Sequence, residues 1–423
     1  MLSDLQRLLA WLRDHPEAGE HFEEATRVAK LIRQFKVPAY VVTQEDENVL
    51  RDIFDRMNNY GKRLSRAEVF SALHSGDAGV DRPRDLSEIA EDIDGRMGFG
   101  FIDEDTVLRA FLARRGADVT REVRAEFEPG VRREFAGEPI EDAHLHTQEA
   151  LERAIRFLQS EAGVPHFAFL PYRYLLVVLA RFFAHHPEPA QRNRTLLRRW
   201  FWRAAMVGPA MAHGSYTNAM RTLGACVDLA DETASVGALL HATAGRDLGF
   251  EMPRFRSTTA AARFALCAMW ALEPRSVRNG RPYEQEALAD LLRGETTASA
   301  ALSLLVPGAT AGLTRVGNRV VLLGDDATPD AVLYLAVKPT TLNEGQWHEV
   351  LQSHAMSPAM AADLEAGRAE PLLDARDAAV DMTTRRFLMR MAEAEIEDTP
   401  PLDTLDLDAT EPERDARVKH AGA

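Results

Sequence analysis

The sequence predicts a mainly α protein with a multi-helical body. Apolar residues recur at three- and four-residue spacings along most of its 423 residues, the period of a helix with one buried face. Pro165, Pro171 and Pro187 fall between those patterns, where helices start and stop. Only one short stretch, toward the C-terminal end, reads as a pair of strands.

From the N-terminus, Leu5, Leu8, Leu9 and Leu12 form one helical stripe, and Ala25, Val28, Ala29 and Ile32 form another. A short β-rich run follows at 37–42. Val49, Leu50, Ile53, Phe54 and Met57 then share one helix face. Asn58-Asn59-Tyr60-Gly61 ends that helix, because Asn and Gly tolerate the positive φ of a tight stop. Ser65 and Glu68 stand three apart, the spacing of a capping box, with Val69, Phe70 and Leu73 on the apolar side of the helix it opens. The Gly, Pro and Asp of 75–83 predict a loop. Helices are expected at 86–97, 104–114, 144–161, 171–185, 194–206, 217–229 and 235–243. A further unit begins near Pro253, with helices at 258–272 and 283–293. Strands are expected at 319–323 and 331–337, joined through Gly324-Asp325-Asp326, and helices at 344–355, 357–366 and 373–392. The expected domains are 1–80, 81–250, 251–392 and an acidic, disordered tail at 393–423. No internal repeat is present.

The stretch Phe54-Asp55-Arg56-Met57-Asn58-Asn59-Tyr60-Gly61-Lys62-Arg63-Leu64-Ser65-Arg66-Ala67-Glu68 resembles the F-x-R-x-N-x-x-G-x-x-L-x-x-x-E signature of the GmrSD-type restriction endonucleases, which carry a ParB-like N-terminal part. The matching positions are Phe54, Arg56, Asn58, Gly61, Leu64 and Glu68. Leu170-Pro171-Tyr172, Trp200-Phe201-Trp202 and Gly214-Ser215-Tyr216 agree with later segments of the family in order, as do Val316 to Leu323 and Leu351 to Met356. The resemblance implies that the first 80 residues form the truncated edge of a ParB-like α/β module. It also implies a small degenerate HNH-like α+β region near the C-terminal end.

Two departures shape the function this implies. The family's Asp-Gly-Gln-Gln-Arg motif, in the core that handles nucleotide, does not occur in the sequence. An HNH module uses a His-rich strand to activate water and hold a divalent metal. Here Asn318 stands at the module's Asn position, but 298–314 contains neither His nor Asp. The expectation is a non-catalytic or partner-dependent component of a DNA restriction or phage-defence system. A ParB-like partner subunit, or an N-terminal domain encoded upstream, would supply nucleoside triphosphate binding and divalent metal. Arg56, Asn58, Gly61 and Glu68 would position the edge that meets it, with Arg56 reaching the bound nucleotide. The alternative is a helical protein-interaction scaffold with no role on DNA.

Composition bounds these readings. A chain of this length can hold two or three domains and a sizeable core. Its apolar run Leu175 to Ala180 stops at Arg181, far short of a membrane span. The first residues lack the basic and then apolar pattern of a secretion leader, so a cytoplasmic location is expected. Cys226 and Cys267 have no paired His spacing and read as free thiols of a reducing compartment. The formal charge of −15 disfavours nucleic acid at first sight. Residues 393–415 hold ten acidic residues and one arginine, so the rest of the chain carries only −6.

Among candidate chemical groups, Arg192, Arg199 and Arg203 surround Trp200-Phe201-Trp202. They read either as the solvated back of a buried aromatic face or as a DNA contact. His144 and His146 would share a face only on a strand, and they enter a helical pattern that reads as a solvated helix start. His185-His186 end a helix, where a cation is favoured. His213-Gly214-Ser215 lacks a nucleophile elbow. His354 reads as a capping or core histidine. Asp325, Asp326 and Asp330 form the best carboxylate group for a hard cation, set against their ordinary use in a turn. No catalytic or metal-ligating set is assigned.

Overall fold

Helix α1 (Arg66–His74) opens on the capping box expected at Ser65. The Glu68 carboxylate accepts from the Ser65 amide at 2.6 Å, and the Ser65 hydroxyl accepts from the Glu68 amide at 3.1 Å. Phe70 on this helix is fully buried against Phe111. The computed structural model describes residues 65–74 and 85–393, apart from 122, 124–125, 128–132, 253, 296 and 309, together with Arg27, Lys30 and Leu31. Two units are distinguished, Met1–Leu64 and Ser65–Ala423. In the first, Arg27, Lys30 and Leu31 are helical and exposed. The expected corner at Phe54, Arg56, Asn58, Gly61 and Leu64 lies outside the described residues, as do the 75–83 loop and the tail beyond Glu393.

The second unit continues with α2 (Leu86–Met97), α3 (Glu104–Arg114), α4 (Ile140–Ser160), α5 (Arg173–His185), α6 (Gln191–Val207), α7 (Tyr216–Ala225) and α8 (Glu232–Thr243). Ten consecutive residues of α5, Tyr174 through Phe183, are buried. A helix apolar all round needs cover on every side, and α3, α4 and α7 pack around this one. Helix α6 packs on α8 and on the long terminal helix.

The chain continues through α9 (Ala260–Trp270), α10 (Gln285–Leu291), α11 (Leu333–Ala336), α12 (Glu344–Ser353), α13 (Pro358–Glu365) and α14 (Ala369–Ala392). Strand β1 (Leu302–Leu304) pairs antiparallel with β2 (Arg319–Val321), Ser303 opposite Val320. The expected second strand at 331–337 is helical instead: a 3-10 turn over Pro329–Val332 runs into α11. Pro329 is preset for the first turn of a helix. Ala331, Val332, Leu335 and Ala336 are buried while Leu333 and Val337 are exposed, a helical and not an alternating pattern. The partner of β2 lies upstream, in three residues too short to give a periodic signal.

One core cluster runs from Ala67 to Ala392 and joins the regions expected as 81–250 and 251–392. A smaller one gathers Val320, Leu322, Leu335, Leu351 and Leu372 around the sheet. The mainly α class is observed. Among the described residues no helix is long and apolar enough to cross a membrane.

Candidate anion-binding cleft

Three helix starts converge on one cavity of about 480 Å3. Helix α5 begins at Tyr172-Arg173 with no side-chain cap. Pro171, just before it, has no N–H to offer. Helix α7 begins at Tyr216, capped by the Ser215 hydroxyl on the Asn218 amide at 3.2 Å. Helix α9 begins at Ala260, capped by the Thr259 hydroxyl on the Ala262 amide at 3.3 Å. First-turn amides have no intrahelical acceptor, and the partial positive charge of a helix start favours anions.

Tyr172, Tyr174 and Tyr216 form one aromatic wall. Tyr172 and Tyr174 stack at 5.5 Å between centroids, and Tyr216 lies 5.9 and 6.0 Å from them. Tyr216 is half exposed, whereas Tyr174 is 3% exposed. Gly208, at the end of α6, makes room for this wall. A Cβ there would sit 2.7 Å from the Tyr172 hydroxyl, and its φ of +62° suits glycine. The Tyr174 hydroxyl is buried without a hydrogen-bond partner among the described residues. Burial, and then the neighbouring Tyr172 and Tyr216, push it above the ordinary phenol range, so it stays protonated.

Arg109, Arg173 and Arg263 also line the cavity, and among the described residues no carboxylate does. Asp103 pairs with Arg173 at 2.8 Å and Asp105 with Arg109 at 2.6 Å. Arg263 makes no ion pair among the described residues. Its Nη1 donates to the Leu170 and Pro171 carbonyls at 2.9 and 3.1 Å, and its Nε is buried and unpartnered. Burial, and then the nearby Arg173, pull Arg263 below the usual guanidinium range. A partly buried cation without a counter-ion is costly, and an anion in the cleft relieves that cost.

The residues singled out from sequence are distributed differently. Arg56, Asn58 and Gly61 lie outside the described residues, and Glu68 closes its helix cap. Arg192 is exposed on α6. Arg199 and Arg203 are buried at the end of α14. Arg199 pairs with the Glu393 carboxylate, and Arg203 donates to the Ala392 and Glu393 carbonyls at 3.0 and 2.9 Å. These two groups hold the fold. Trp200, Phe201 and Trp202 are fully buried, as a core face requires.

Asn318 is fully buried and its amide is committed to the backbone. It accepts from the Val306 amide at 2.8 Å and donates to the Val306 and Gly312 carbonyls. Asp326 is buried, accepting from the Val277 amide and the Tyr283 hydroxyl, while Asp325 and Asp330 are exposed. Gly324–Asp326 form a single 3-10 turn, and among the described residues no group of three or more His, Cys, Asp or Glu is placed to hold a metal.

His144 differs from the expected solvated helix start. It is buried against Phe70 and Phe111, while His146 meets the Glu138 carboxylate at 2.7 Å. The helix begins earlier than expected, at Ile140, so His144 already lies on its inner face. His354 is a core histidine, 2.7 Å from the Arg275 carbonyl. Cys226 and Cys267 are free.

The cleft residues Tyr172, Arg173, Tyr174, Tyr216 and Arg263 were not singled out as a site. Pro171-Tyr172 and Gly214-Ser215-Tyr216 stood out as segments, and both mark helix starts. Nothing in the sequence distinguishes Arg263 from other helical arginines. No protein-family model and no curated protein matches the chain.

Proposed function

We propose that this chain is a partner-dependent component of a GmrSD-like DNA restriction or phage-defence system, contributing a nucleic-acid contact and not the cutting centre. The observation that carries the reading is Arg263, a half-buried cation with no carboxylate partner among the described residues, facing an aromatic wall at three converging helix starts. Pro171-Tyr172 and Tyr216, from two segments that carry the resemblance, line the same cleft. A phosphate meets the cation and the helix starts, and bases stack on tyrosine. In this reading a ParB-like partner holds the nucleoside triphosphate and its divalent metal. Arg56, Asn58 and Gly61 shape the corner that meets the partner, and exposed Arg192 adds a phosphate contact.

Fluorescence anisotropy with duplex and single-stranded DNA at low salt, with and without a co-expressed ParB-like subunit, tests the proposal. Binding that falls steeply as salt is added supports it. Absence of DNA binding in both preparations overturns it and leaves the helical interaction scaffold.

A further inference from the structure

We propose that the cleft accepts a single nucleotide unit of an unpaired DNA strand, its base against Tyr216 and its phosphodiester on Arg263 beside the start of α9. The inference rests on the DNA-binding reading above and names the form of DNA the cleft takes.

Size comes first. A volume of about 480 Å3 is roughly 8 Å on a side, whereas the major groove of a duplex alone is about 12 Å wide. The cleft therefore holds one nucleotide, not a double helix. Small-ligand sites span about 300–1,000 Å3, so the space is sufficient.

The aromatic arrangement comes second. Tyr172 and Tyr174 already stack on each other at 25° between planes, but Tyr216 lies tilted at 48° and 47° to them. Tyr216 is 51% exposed, so it keeps ring surface free for a base. Bases of a duplex are already stacked on each other, whereas an unpaired base has faces to give.

Charge decides between a strand and a free nucleotide. Asp103 and Asp105 neutralise Arg173 and Arg109. Among the described residues lining the cleft, that leaves one uncompensated cation, Arg263, which matches the single charge of a phosphodiester. A free nucleoside triphosphate brings several more negative charges, for which the cleft has no further unpaired arginine among the described residues. The buried Tyr174 hydroxyl, lacking any partner among the described residues, is a donor held ready for one acceptor on the nucleotide.

The test uses the full chain and anisotropy of a fluorescent oligothymidylate, competed by unlabelled duplex or by free nucleoside triphosphate. Tyr216→Ala is the principal variant, because an exposed ring at the start of a helix can be removed without opening the core. It is expected to weaken the strand by about 5- to 100-fold. Arg263→Gln is expected to lower the salt slope by about one, with its thermal unfolding measured alongside because Arg263 also holds the Leu170 and Pro171 carbonyls. Tyr174→Phe, which removes only the hydroxyl, is expected to weaken binding by a smaller factor. Strand binding unchanged by both Tyr216→Ala and Arg263→Gln overturns the assignment of the cleft while leaving a DNA role intact. Duplex or free triphosphate competing as well as the strand overturns the unpaired-strand form. Absence of all DNA binding by the wild-type chain, with and without the co-expressed ParB-like subunit, overturns this inference and the reading beneath it together.

Discussion

Arg376 and Gly317 lock the terminal helix to the turn that precedes β2. From the middle of α14, the fully buried Arg376 guanidinium donates from Nη1 to the Gly317 carbonyl at 2.7 Å. It also reaches the Arg319 carbonyl at 2.6 Å and the His354 carbonyl at 3.0 Å. One side chain thus ties the turn before β2, the strand and the end of α12 to a single helix. Burial brings Arg376 down to about 10, against the opposing pull of Asp377, and it stays charged at neutral pH.

This contact requires a glycine at 317. A Cβ there would meet the Asp377 amide nitrogen and carboxylate oxygen at 2.7 Å and the Leu373 carbonyl at 2.9 Å, two of them backbone atoms of α14. Gly317→Ala must push the turn away from the helix, stretching the Arg376 bonds as well. A loss of about 2–4 kcal/mol is expected, at the upper end of overpacking costs. Urea denaturation of the variant against wild type checks it. A loss below about 0.5 kcal/mol would mean that the turn shifts freely.

His354 gives the fold an acid limit. Its Nε2 lies 2.7 Å from the Arg275 carbonyl and donates to it from the neutral ring. Burial is the main cause that lowers its pKa and nearby Arg376 adds to it, outweighing the Arg275 carbonyl, so the folded value is about 4. The unfolded chain takes up a proton near 6.5. Its contribution is therefore fully present above pH 6.5, declines as the pH falls below that, and is lost by about pH 4. A gap of this size is worth roughly 3 kcal/mol. The midpoint of urea unfolding should drop between pH 6.5 and 4. NMR titration of the His354 ring showing protonation near 6.5 in the folded state would refute the assignment.

Glu126 is the hub of a buried charge network. Its side chain is fully buried and accepts from Arg115, Arg121 and Arg133 at 3.0, 2.8 and 3.1 Å. Burial alone would raise its carboxyl, and the arginines overcome that and hold it below the usual range. Glu126→Gln keeps the shape but removes the charge from between three guanidinium groups. A cost of about 3–5 kcal/mol at neutral pH is expected. Thermal unfolding at several salt concentrations checks it, since a buried network is screened far less than a surface pair.

Helix positions were legible in the sequence because their periodicity is long and their stops are marked. Helices α2 and α3 occupy the expected residues, and Pro171 announces α5. The 331–337 stretch was not legible: Leu-Tyr-Leu-Ala-Val has strand-forming composition, and the packing of Ala331, Val332 and Leu335 on the small core selects a helix. The cleft was half legible. Its tyrosines sit at helix starts that the sequence punctuates, but its charge depends on which arginines find a carboxylate. Asp103 reaches Arg173 across 70 residues, and nothing local forecasts that pairing. His144 shows the same limit, since its aromatic neighbours come from two other helices.

Arg203 separates a structural from a nucleic-acid role for the arginine-rich helix α6. The last carbonyls of a helix have no intrahelical donor. At the end of α14 the Arg203 guanidinium supplies two, to Ala392 and to Glu393, whose φ of +44° turns the chain left-handed. A cation at this end also meets the negative pole of the helix. Because Arg203 is buried, its charge is already spent on those groups and little of it faces a phosphate. Arg203→Ala is therefore expected to cost about 2–3 kcal/mol of stability, while DNA binding by the folded protein keeps its salt slope. Arg192→Ala, on the exposed face of the same helix, is expected to do the reverse: unchanged unfolding and a slope smaller by about one. Paired measurements of urea midpoint and salt-dependent anisotropy on both variants decide the matter. A smaller slope for Arg203→Ala at unaltered stability would return that arginine to the DNA surface.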